Sequence, residues 1–253
     1  MQSRRLKAAL ALCCAALLLA AAGADAALVE VEGLVLHANG GFQPRTLPRH
    51  RFAPIDFQGH VDLRAKGGGE PPALQLAIVD FDRDGRLSAG GLPTCAAERV
   101  ASASTAEARR LCRGAIVGTG RVEALIDLGI GTVTASSPLT IFNGPPEAGH
   151  PTVVIHAQTR VPATQTFAIP VPIERRRGAF RYRATLAVPP IAGGLGAITH
   201  IDVDVGRRFR AGGRRRSYVS AHCSDGILDT HGRFSFADGT VIDSSVEEPC
   251  TPK

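Results

Sequence analysis

Tryptophan is absent from this chain, methionine occurs once, tyrosine twice, and lysine only at Lys7, Lys66 and Lys253. So few flat rings leave few platforms on which bases could stack, and specific nucleic-acid recognition is not expected. No apolar run after Ala22 approaches the roughly 20 residues that a membrane-spanning helix needs, so no transmembrane segment is expected in the mature chain. The sequence holds no G-x-S-x-G elbow, no H-E-x-x-H helix and no phosphate-cradling P-loop. These absences lower the expectation of an enzyme and leave open a site assembled from distant residues. Lysine scarcity and the lack of an LPxTG motif likewise argue against isopeptide cross-links and covalent wall anchoring.

What is present begins with an export signal. Arg4, Arg5 and Lys7 precede an apolar run from Ala8 to Ala22 that ends in small residues around Ala24-Asp25-Ala26. This is the n-region, h-region and A-x-A order of a cleavable leader, placed at 1–26, with residues 27–253 as a single mature domain. Lipidation at Cys13 or Cys14 is disfavoured because Leu12 precedes Cys13 and little apolar sequence lies upstream. Removing three cations (Arg4, Arg5, Lys7) and one anion (Asp25) takes the formal charge from +6 to +4. The mature chain is mildly basic, which favours solubility and a weak attraction to anionic polymers but identifies no partner.

Four cysteines remain, Cys95, Cys112, Cys223 and Cys250, an even number suited to an oxidising compartment. They allow three connectivities, and loop length favours Cys95–Cys112 with Cys223–Cys250. A four-cysteine zinc site lacks any C-x-x-C pair.

Abundant Gly and Pro, with short alternating apolar runs between turn signals, point to many short strands. Candidates include Val29–Leu36, Asp56–Arg64, Leu74–Phe81, Arg121–Leu128, Pro138–Phe142 and Thr152–Thr159. Hairpins are expected over Thr166–Val188, turning at Gly178, and at Ala237-Asp238-Gly239. The one convincing helix opens with the capping box Ser104-Thr105-Ala106-Glu107 and runs to about Cys112. The expected fold is all-β, an antiparallel sandwich of immunoglobulin-like or jelly-roll-like type with one short helix near 104–112.

The stretches GLPTC (Gly91–Cys95), STAEARRLCRGAIVGTGR (Ser104–Arg121), IFNG (Ile141–Gly144), ITHIDVDVGRRF (Ile198–Phe209), GGRRRSYVSAHC (Gly212–Cys223) and the closing FSFADGT with Cys250 resemble a family of uncharacterised secreted proteins from high-GC actinobacteria. The resemblance spans most of the mature chain. It implies export and the two disulfides, and it implies no activity. Twenty-six arginines against three lysines fit a high-GC genome without functional pressure.

Three motifs carry candidate chemistry. Asp80-Phe81-Asp82-Arg83-Asp84-Gly85 places Asp80, Asp82 and Asp84 at alternate positions before a glycine, the pattern of a calcium loop, although the twelfth position is Gly91 rather than Glu. The bland alternative is a charged exit from a strand. Arg207, Arg208, Arg210, Arg214, Arg215 and Arg216 surround Gly212-Gly213 and could grip phosphates or uronates, against the alternative of a solvated loop. Arg175-Arg176-Arg177 makes a second basic tip. His60-Val61-Asp62 and His200-Ile201-Asp202 each set a His and an Asp on one strand face, able to orient a catalytic or metal-bound imidazole or simply to sit in solvent. In His222-Cys223-Ser224-Asp225, neighbours point to opposite faces and Cys223 is committed to a disulfide.

The leading expectation is therefore a secreted or envelope-associated, non-catalytic protein of binding or structural role and unknown ligand, with an anionic envelope polymer or polysaccharide as the candidate partner. The alternative is a secreted hydrolase with a dispersed His/Asp site. No cofactor is expected except, as a candidate, calcium.

Overall fold

The run V-E-V-E-G-L-V-L reads as one strand but folds as a hairpin, because Glu32 and Gly33 both take positive φ (51° and 80°). That pair of left-handed residues is what a two-residue turn needs when its twist is to match the flanking strands. In the computed structural model, which describes residues 26–253, the hairpin opens a large antiparallel sheet. The expected leader lies, except for Ala26, outside the described residues.

With strands numbered in chain order, twelve form one sheet: β1 (Ala27–Val31), β2 (Leu34–Gln43), β5 (Asp56–Ala65), β13 (Gly196–Val205), β8 (Ile116–Asp127), β9 (Thr132–Glu147), β10 (His150–Thr159), β11 (Gln165–Arg175), β12 (Phe180–Ala187), β6 (Leu74–Asp82), β17 (Ile227–Phe236) and β18 (Val241–Pro249). The sheet curls until β18 lies against β1 and β2, so it is nearly closed. The two separate facing sheets expected of a sandwich are not distinguishable, because β11 belongs to both halves. It pairs with β10 over Gln165–Pro172 and with β12 only over Ile173–Arg175. Pro170 and Pro172 lack donors on the same edge of β11, which suits a strand paired along one side for most of its length.

The interior is filled by inward-facing residues such as Leu36, Leu63, Ile198, Phe234, Phe236 and Ile242. Smaller strands gather at one end: β4 (Ala53–Pro54), β16 (Val219–Ala221) and β7 (Gly85–Leu87) form a three-stranded sheet. A hairpin of β14 (Arg208–Ala211) and β15 (Arg214–Ser217), and a parallel pair of β19 (Thr251–Pro252) with β3 (Thr46–Leu47), lie at the same end. The Cys223–Cys250 disulfide ties two of these segments together.

An excursion between β7 and β8 carries α1 (Ala97–Val100) and α2 (Thr105–Leu111) across the outside of β9 to β11. The capping box is formed: the Ser104 hydroxyl accepts from the Glu107 amide at 3.3 Å, and the Glu107 carboxylate accepts from the Ser104 amide at 2.9 Å. Phe142 and Val154 are buried beneath Val100, Ala108 and the Cys95–Cys112 disulfide. His156 Nε2 donates to the Ala103 carbonyl at 3.0 Å, and burial holds its pKa below the ordinary histidine value. Asn143 donates to Pro93 O at 3.0 Å while its own carbonyl accepts from Cys95 N at 2.8 Å. The I-F-N-G and G-L-P-T-C stretches are thus two sides of one contact. Among the described residues no helix is long and apolar enough to cross a membrane.

Candidate functional site

Strand register brings the two H-x-D motifs together. β5 and β13 are antiparallel neighbours paired His200 to Asp62 and Asp202 to His60, so all four side chains share the outer face of the sheet. His60 Nδ1 meets Asp202 Oδ1 at 2.7 Å and His60 Nε2 meets Asp62 Oδ2 at 2.7 Å. His200 Nδ1 meets Asp62 Oδ1 at 2.9 Å and His200 Nε2 meets Asp202 Oδ2 at 2.6 Å. An ionised carboxylate can only accept, so with Asp62 and Asp202 ionised each of the four ring nitrogens donates and both rings are imidazolium. Two cations and two anions close a ring whose net charge is zero.

The electrostatics agree. At His60, burial works to lower the pKa, but hydrogen bonds to Asp202 and Asp62 outweigh it and hold the ring above the ordinary value. At His200 the hydrogen bond to Asp62 raises the pKa against an opposing burial effect. Burial pushes Asp62 up, yet the bonds from His200 and His60 bring it below the usual carboxylate value. Asp202 is lowered chiefly by the bond from His60.

These four side chains are partly open to solvent, and a groove of about 440 Å³ runs beside them, lined by His60, Asp202, Asn39, Gln58, Thr119 and Asp204 among others. Gly120 of β8 lets the strands approach here: a Cβ on it would stand 2.0 Å from the Asp202 carbonyl oxygen. On β2, His37 Nδ1 lies 3.7 Å from Asp62 Oδ2. Among the described residues, two groups offer three ligand atoms within 4.8 Å of one another, His60–His200–Asp202 and His37–His60–Asp62.

The D-x-D-x-D-G motif behaves differently. Asp80 is buried and gives both oxygens to Arg183, at 2.8 and 2.6 Å. Asp82 accepts from the Asp84 and Asp229 amides at 2.6 and 3.0 Å, and Asp84 accepts from the Ser224 amide at 2.7 Å. Each carboxylate thus serves a different neighbour, and the three do not form a group of ligand atoms within 4.8 Å. The His222–Asp225 stretch is absorbed in the same way, with Cys223 in its disulfide and Asp225 on Arg83 at 3.0 Å.

Of the six arginines around Gly212-Gly213, Arg208 is committed inward: it holds Asp56 at 3.0 and 3.2 Å, and also donates to Ile55 O and Ser217 Oγ. Gly206 makes room for that pair, since a Cβ there would overlap Asp56 Oδ1 at 1.9 Å. Arg207 is half-buried, whereas Arg210, Arg214, Arg215 and Arg216 are exposed, with no carboxylate at ion-pair distance among the described residues. Arg210 and Arg215 stand directly opposite each other across the hairpin. The second basic tip, Arg175 to Arg177, is at the same end of the nearly closed sheet, beside a cleft of about 250 Å³ lined by Arg83, Arg175, Arg176, Gly178, Phe180 and Arg181.

His37, Asn39, Gln58, Thr119 and Asp204 carry no sequence motif. Their common feature is register on one outer face, which only strand pairing reveals. No protein-family model, no curated protein and no solved structure matches this chain.

Proposed function

We propose that this chain is an exported, envelope-associated protein that binds an anionic polymer through the arginine-bearing loops at one end of its nearly closed sheet, without performing chemistry on it. The observation that carries this reading is the Arg210–Arg215 pair. Like charges directly opposite across a two-stranded ladder repel, and here they stand exposed with no carboxylate at ion-pair distance among the described residues. A polyanion with regularly spaced phosphates or uronates supplies the missing countercharge, and guanidinium forks suit such groups. Arg214, Arg216 and the Arg175–Arg177 tip extend the same field, while Arg208 is excluded because Asp56 neutralises it. The two disulfides and the leader-like 1–26 segment support an extracytoplasmic setting, as does the resemblance to secreted actinobacterial proteins.

Retention on immobilised heparin and on teichoic acid tests this. The protein should elute with rising salt, and the triple variant R214S/R215S/R216S should elute markedly earlier. Unchanged retention in the variant would count against the reading.

The alternative, hydrolysis at a dispersed His/Asp site, draws on the His60–His200 cluster beside its groove. In the metal-free state with both rings protonated, carboxylates hold all four ring nitrogens and none offers a lone pair as a general base, which favours binding over hydrolysis.

A further inference from the structure

The His60–Asp62–His200–Asp202 ring stands apart from the arginine loops, and its geometry points to a different ligand. We propose that it is a binding site for one divalent transition-metal ion of zinc type, with His60, His200 and Asp202 as ligands and Asp62 as the residue that orients both rings.

The division of roles follows from the bonding. Asp202 receives His60 Nδ1 and His200 Nε2, at 2.7 and 2.6 Å, so those two nitrogens and an Asp202 oxygen cluster on one side of the ring. Their ligand atoms fall within 4.8 Å of one another, and modest side-chain adjustment brings them to the spacing of ligands about 2.0–2.2 Å from a shared ion. Asp62 receives the two remaining nitrogens, His60 Nε2 and His200 Nδ1, at 2.7 and 2.9 Å. A metal-binding imidazole ordinarily donates its other N–H to a carboxylate, which fixes its tautomer and aim. One carboxylate does this here for both rings.

Charge balance supports the exchange. With both rings protonated, the two protons shared between Asp202 and the rings carry two positive charges, as does one divalent ion. The ion would replace both protons, leaving each ring neutral, singly protonated and donating to Asp62. No other bond changes. Imidazole with carboxylate suits zinc and its neighbours better than calcium, which prefers an all-oxygen shell. All four side chains sit on two hydrogen-bonded strands rather than loops, so the site is held rigidly. Three protein ligands leave a position for water or a ligand oxygen, and the adjoining groove provides access.

The test is calorimetric titration of the chelator-treated full protein with ZnCl₂ at neutral pH, in two buffers of different ionisation enthalpy. One ion per chain should bind, with proton release seen as a dependence of the heat on buffer ionisation. Asp202→Ala and the double variant H60A/H200A should abolish binding. Asp62→Asn should keep the one-ion stoichiometry with affinity about 10- to 100-fold weaker, and His37→Ala should leave it unchanged. Thermal melts without metal establish that each variant is folded. The absorption spectrum of bound Co²⁺ separates orientation from ligation: it should keep its tetrahedral pattern in Asp62→Asn. The proposal is overturned if Zn²⁺ at millimolar concentration gives no binding to the wild type, if Asp202→Ala binds normally, or if His37→Ala abolishes binding, since that result assigns the ion to the other trio.

Discussion

The turn that carries Asp80, Asp82 and Asp84 and the sheet face that carries Asp62 and Asp202 both gather carboxylates from short-range motifs, and they spend them in opposite ways. At the turn Asp80 and Asp84 are buried and Asp82 is half-buried, and each serves a separate neighbour: Arg183 for Asp80, the Ser224 amide for Asp84, and two backbone amides for Asp82. On the face they are about half exposed, at 43% and 48%, and both serve the same two rings. Burial makes the first set part of the fold, since each lost partner leaves a desolvated group behind. Exposure makes the second set cheap to alter and open to a ligand. The difference lies in convergence. Alternation along one strand sets side chains on one face, whereas pairing between strands decides whether their functional atoms meet.

Substitutions sharpen this contrast, and the largest effect belongs to Asp80. Asp80→Ala strands the Arg183 guanidinium beside a buried space and should cost about 3 kcal/mol, the lower part of the range for a broken buried pair because Arg183 keeps some exposure. Urea denaturation with a shift of less than a third of that would mean that the pair is rehydrated and the turn is not buried in the sense argued. Asp84→Ala removes the acceptor of the Ser224 amide next to the Cys223–Cys250 disulfide, and about 2 kcal/mol is expected. The same melt on H60Q/H200Q should show a loss of no more than about 1 kcal/mol. If the face proves as costly as the turn, the division between fold and site fails.

How far this could be read in advance follows the same division. The capping box at Ser104, the turn at Asp238-Gly239 and the short-loop cysteine pairs are local, and sequence spacing expresses them directly. The mostly antiparallel character is likewise written in alternation. Closure of the sheet is not, because it depends on β11 dividing its edges between β10 and β12. The Glu32-Gly33 turn was hidden by a residue that seldom takes positive φ. At the candidate site, each H-x-D motif is visible by itself, but they are separated by about 140 residues, and only the β5–β13 register makes them one object. Conversely, the D-x-D-x-D-G spacing resembles a calcium loop although its oxygens are engaged by Arg183, Ser224 and the strand amides.

The smallest expected effect is also the most diagnostic, because acid should move the two regions in opposite directions. In chelator-containing buffer, His60 and His200 have folded pKa values above the unfolded value of about 6.5. The stability they contribute is complete below pH 6.5 and is lost as pH rises through the raised folded values. Asp62 and Asp202 are lowered, so their contribution is present above about pH 3.9 and disappears as pH falls through the lowered values. The ring therefore adds most between about pH 4 and 6.5. Asp82 and its neighbour Asp229 on β17 are raised, chiefly by burial, so their contribution is present below about pH 3.9 and is lost as pH climbs through the raised values. Comparing wild type with H60Q/H200Q from pH 3 to pH 9 should give a stability difference that peaks near pH 5 to 6 and shrinks on both sides. Asp82→Asn removes the ionisation penalty at the turn, so relative to wild type it should fare better at pH 7 than at pH 3. A difference for H60Q/H200Q that stays flat from pH 5 to 9 would mean that the rings are not held as imidazolium, and the closed four-residue ring would have to be redrawn with one nitrogen as an acceptor from a protonated carboxyl.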